Sequence, residues 1–76
     1  MAKQKERVEI VEVIENKDGA KVTFSNGLVV SLTDKDLITF TNYGFVSWKK
    51  GVPFEIITHG LKKEINPIGT NIFYKI

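Results

Sequence analysis

The sequence predicts an all-β protein: a small antiparallel barrel or sandwich of five or six strands, with at most one short helical turn. Three observations predict it. Short runs rich in Val, Ile and aromatic residues recur along the 76 residues, each bounded by Gly, Pro, Asn, Asp or Ser, which is the pattern of short strands joined by turns. Segments 22–32 and 46–56 share one grammar, in which an aromatic residue, polar turn residues, a glycine and an aliphatic residue follow in the same order. The only capped helix signal, after Leu32, is too short to compete with the strand pattern.

Residues 1–7 are polar and are expected to form a flexible N-terminal tail ahead of a single barrel-like domain, 8–76, because burying them offsets none of the entropy of ordering. Residues 8–14 read as the first strand, yet their alternation breaks. Val8 and Ile10 share one face, while Val11 and Val13 take the opposite phase. A bulge near Ile10 and Val11 restores a single buried face and bends the strand so that it can serve two parts of the sheet. A helix is the competitor, since Val8, Val11 and Glu12 also fit a helical period. Asp18 and Gly19 then supply a turn.

The hairpin at 22–32 is the strongest local signal. A two-residue turn at Asn26 and Gly27 would set Phe24 opposite Val29 and mix apolar with polar residues on each face. A three-residue loop of Ser25, Asn26 and Gly27, a type I turn closed by a glycine bulge, pairs Phe24 with Leu28 and Val22 with Val30. Val22, Phe24, Leu28, Val30 and Leu32 then face inward, and Lys21, Thr23, Val29 and Ser31 face out.

Thr33 or Asp34 can cap a helical turn, with Asp36 as the acidic partner of a capping box. Thr39, Thr41 and Asn42 are poor helix formers and Tyr43 and Gly44 end it, so one or two turns are expected, with Leu37 and Phe40 inward. A short strand over 37–41 is the alternative. The second hairpin is expected to bury Val46, Trp48, Val52, Phe54 and Ile56, with Lys49, Lys50 and Gly51 at its tip. Pro53 has no N–H to donate, which predicts that the strand it opens lies at a sheet edge. Thr58, His59 and Gly60 form a loop, 61–65 fits either a strand or a helical turn, and 66–69 is a turn. The last strand, 70–76, sets Ile72, Tyr74 and Ile76 against Phe73 and Lys75. With apolar residues on both faces, it is expected to be covered on both sides. Three strands, a short helical segment and further strands follow the order of an OB-like barrel. Tight hairpins in so short a chain equally suit an SH3-like barrel, and neither fold carries function.

Composition narrows the function classes. A chain of this length buries about 60–65% of its unfolded surface, so each large apolar side chain counts. There is no cysteine, which excludes disulfides and thiolate metal sites and fits a reducing, cytoplasmic setting. No stretch reads as a signal peptide or a membrane span. The net charge of +2 is modest but lopsided: residues 1–38 carry six Lys/Arg and seven Asp/Glu, and residues 39–76 carry five and two.

No constellation points to catalysis, a metal or a cofactor. His59 is the sole histidine, and Ser25, Ser31 and Ser47 sit in strand or turn contexts that explain them, so nothing assembles a nucleophile with a base and an orienting third group. Glu6, Glu9, Glu12 and Glu15 recur every three residues and read as the wet positions of a strand. The chain is therefore expected to be a non-enzymatic binding module. The leading expectation is a protein-interaction or self-associating accessory protein acting on a larger partner, because Phe45, Ile57, Phe73 and Val29 fall opposite the predicted core positions and together would form an apolar interface. The small size and the bias toward Ile, Lys and Asn suit a bacterial or phage-encoded factor. The alternative is a single-stranded nucleic-acid-binding module, in which Lys49, Lys50, Lys62, Lys63 and Lys75 hold phosphates while Tyr43 and Tyr74 stack bases.

Overall fold

One long strand organises the fold. In a computed structural model, which describes residues 3–76, β1 (Gln4–Asn16) pairs with β2 (Gly19–Phe24) through its second half and with β4 (Pro53–His59) through its first. The switch falls at the expected bulge, where the register shifts between Ile10 and Glu12 and returns Val13 to the inner face opposite Val22. Both flanks are tied there. Glu9 O accepts from Ser25 N–H at 2.9 Å on one side, and Ile10 N–H donates to Val52 O at 3.0 Å on the other. β3 (Val29–Thr33) follows β2, α1 (Asp34–Asn42) follows β3, and β5 (Lys62–Pro67) and β6 (Tyr74–Lys75) complete the chain. The strands make one antiparallel sheet in the order β3-β2-β1-β4-β5-β6, curled into a half-barrel.

The first hairpin has the expected loop. Phe24 N–H donates to Leu28 O, Gly27 N–H donates to Phe24 O and Gly27 takes φ +89°, so Val22 stands opposite Val30. Val8, Ile10, Val22, Phe24, Val30 and Leu32 enter the core from β1 to β3, and Phe54, Ile56 and Ile65 enter it from β4 and β5. The helix packs beside β2 and β3 and sends Phe40 into the core. Both bonds of its N-terminal capping box are formed, since Asp36 N–H donates to the Thr33 hydroxyl at 3.1 Å and the Asp36 carboxylate accepts from Thr33 N–H at 2.9 Å. Phe40 is fully buried and Leu37 half-buried, as expected, but the helix runs nine residues, longer than one or two turns. The cap and the burial of Phe40 outweigh the low propensity of Thr39 and Thr41.

Four expectations are corrected. The N-terminal tail is shorter than 1–7, because Gln4 to Arg7 pair with Thr58 to Glu55 of β4; Met1 and Ala2 lie outside the described residues. The second hairpin does not form. Lys49 to Gly51 do turn, with Val52 N–H donating to Lys49 O and Gly51 at φ +92°, yet Gly51 and Val52 are bonded to Ile10, so 46–49 has no strand to pair with. Val46 is consequently 66% exposed, while Trp48 and Val52 lie half-buried against the core. Pro53 opens an interior strand, not an edge. The donor it lacks would fall at the last rung of the β4–β5 ladder, where Ile68 N–H donates to Pro53 O and nothing else is required. The final strand shrinks to two residues, and the expected turn over 66–69 begins after Pro67, the end of β5.

Candidate functional site

Strand polarity decides what the sheet leaves open. β3 and β6 are its two ends, and no ladder joins them. Because Phe24 and Leu28 form a hydrogen-bonded pair, the alternation of an antiparallel ladder turns the backbone groups of Leu28, Val30 and Leu32 toward β2 and those of Val29 and Ser31 away from the sheet. Ile76 N–H donates to Lys63 O at 3.0 Å, so by the same rule the backbone of Lys75 also points away from its neighbour strand. Between these two edges runs a groove of about 600 Å³ that both of them line.

The groove is amphipathic. Val29, Leu61 and Ile76 supply exposed apolar surface, Lys63 and Lys75 supply positive charge, and no carboxylate side chain lines it. Glu64 stands opposite Lys75 on the β5–β6 ladder but outside the lining. Tyr74 forms part of the floor. Its ring packs on Phe40 with centroids 5.4 Å apart, burial raises its hydroxyl above the usual phenol range, and the Asp36 carboxylate nearby adds to the rise. Asp36 in turn is held below the usual carboxylate range, chiefly by the Thr33 N–H it accepts from and also by Tyr74.

On the other side of Tyr74 lies a smaller cleft of about 400 Å³, walled by Thr39, Phe40, Tyr43, Asn71, Ile72 and Phe73. Phe73 is 55% exposed and Tyr43 73% exposed at its rim.

Of the four expected interface residues, the structure leaves two at the surface and takes two away. Val29 lines the seam and Phe73 the neighbouring cleft. Phe45 is a core residue at 8% exposure, held edge-on between Phe40, Trp48 and Phe54. Ile57 is 4% exposed; it does lie on the face away from the core, but between Lys5 and Glu64, whose methylene stems can cover it. The residues named for nucleic acid are likewise divided. Lys63, Lys75 and Tyr74 share the seam, Tyr43 stands in the cleft, and Lys62 sits beside the β4–β5 turn opposite His59. Lys49 and Lys50 lie at the turn bonded to the β1 bulge. Leu61 and Ile76 were not anticipated, since a leucine after a turn glycine and a terminal isoleucine carry no local sign of a shared groove.

His59 is exposed at the end of β4, and Ser25 Oγ accepts from Glu9 N–H beside the bulge. Among the described residues no three metal-ligating side chains gather, and no helix is long and apolar enough to cross a membrane. Compared with known proteins, the chain matches no family model, no curated protein sequence and no solved structure.

Proposed function

We propose that the chain is a non-enzymatic protein-interaction module that engages a larger partner, or a second copy of itself, along the open seam between β3 and β6. One observation carries this reading: two strand edges with outward-facing backbone groups border a single groove flanked by exposed Val29, Leu61 and Ile76. Unpaired edges beside apolar surface are where sheets recruit another strand. The test combines light scattering with amide hydrogen exchange. The Val29 and Ser31 amides should exchange rapidly in the isolated chain and become protected on association, and Val29→Asp should abolish the association without unfolding the protein. A monodisperse monomer whose Val29 and Ser31 amides are already protected would mean that the seam closes on itself, and the reading would fall.

A second reading is favoured by one feature of the same groove, the presence of Lys63 and Lys75 with no carboxylate side chain in its lining. Single-stranded nucleic acid placed there would meet positive charge, and a base reaching the neighbouring cleft could stack on the exposed Tyr43. Binding of an oligonucleotide that weakens steeply with salt, and that is lost in Lys63→Glu/Lys75→Glu, would select it.

A further inference from the structure

We infer that the occupant of the seam is one extended, acidic segment of a partner protein, added as a strand antiparallel to β3; the inference rests on the interaction reading above and specifies its ligand. The backbone comes first. Val29 and Ser31 each present an N–H and a C=O away from β2, so a strand laid alongside gains up to four main-chain hydrogen bonds at the spacing its own backbone repeats.

Strand parity then fixes the direction of a single added segment. Six strands alternate from β3 to β6, so the two edges run opposite ways. A single added strand that is antiparallel to β3 must be parallel to β6. The bonding potential matches this inequality, since β3 has five residues and β6 two. β3 is the template, and β6 is the wall.

Charge decides the composition. Lys75 borders the groove on the outer face, where Glu64 stands opposite it, and Lys21 stands beside Ser31 on the same face, whereas Lys63, opposite Ile76, borders the groove on the inner face. The residue of the added strand that faces Val30 would point inward over Leu28 and Ile76 and should be apolar, while its neighbours point outward on the face of Lys75 and Lys21 and should be acidic. The segment is therefore an alternation of aliphatic and acidic residues.

The experiment uses the intact chain and three fluorescent probes: a capped heptapeptide alternating Val with Glu, the same peptide with Lys for Glu, and a single-stranded oligothymidylate. The Glu peptide should bind and the Lys peptide should not. Lys21→Glu/Lys75→Glu should weaken the Glu peptide by about three- to tenfold and admit the Lys peptide. Ser31→Pro, which removes an outward N–H while leaving the bonds to β2 in place, should weaken the Glu peptide further. Equal binding of both peptides at the seam would overturn the acidic assignment and leave the interaction reading intact. Binding of the oligonucleotide alone would overturn both. Binding of no probe by a dimer protected at Val29 and Ser31 would overturn the acidic partner and assign the seam to a second copy.

Discussion

The rings of Phe24 and Phe54 meet with centroids 5.0 Å apart and planes tilted by 56°, across the strand that separates them. Phe24 lies opposite Ile10 and Phe54 opposite Val8, so their contact draws β2 and β4 toward each other over β1 and makes the sheet curl. Phe45, edge-on, and Trp48, at a tilt, then pack against Phe54 from the loop that follows α1.

Phe54→Ala should therefore cost about 3–5 kcal/mol, a large part of the stability of a domain this size. Urea unfolding followed by the fluorescence of the sole tryptophan, Trp48, reads the loss. A cost below about 1 kcal/mol would mean that the aromatic cluster is not the keystone of the curl.

Two glycines should respond differently to alanine. Gly19 has φ +153°, and a Cβ there would be driven into the Leu32 carbonyl and to 2.8 Å from Thr33 Cα. Gly19→Ala is expected to cost about 2–4 kcal/mol. Gly27 has φ +89° with open space around the added atom, so Gly27→Ala should cost only the backbone preference, about 1 kcal/mol. The order of the two denaturation midpoints checks it.

Pro67 cannot donate to Ile72 O, the acceptor that the β5–β6 register would set opposite it. The buried Asn66 side chain supplies the missing donor, with Nδ2 2.5 Å from Ile72 O and 3.2 Å from Thr70 O. Asn66→Ala should cost about 1–3 kcal/mol and speed amide exchange at Ile76, whose N–H holds β6 to Lys63. Unchanged exchange there would show that β6 is anchored by Tyr74 packing alone.

Asp36 titrates below its ordinary value of 3.8 because Thr33 N–H and Tyr74 favour its ionised form. Its contribution is thus present above pH 3.8 and lost as pH falls below it. Tyr74 behaves in the opposite sense: raised above 10.0, it contributes below that pH and loses its contribution as pH climbs past it. The stability difference between the wild type and Asp36→Asn should be constant near neutrality and shrink in acid. Thermal unfolding across that range measures it, and a difference that does not narrow would assign the cap to geometry alone.

By itself the sequence determined the parts whose causes are local. The loop of Ser25, Asn26 and Gly27, the bulge at Ile10, the cap at Thr33 and Asp36 and the antiparallel β class all follow from residues within a few positions of one another, where turn chemistry and side-chain alternation leave one answer. Only the tertiary structure decided the rest. Ile10 takes the backbone groups of Gly51 and Val52, which dissolves the hairpin that segment 46–56 resembles and sends Phe45 into the core. Val29, Leu61, Lys63 and Ile76 become neighbours because a six-stranded sheet curls until its ends approach. Which edges remain unpaired is a property of the whole ladder, and no short stretch of chain can encode it.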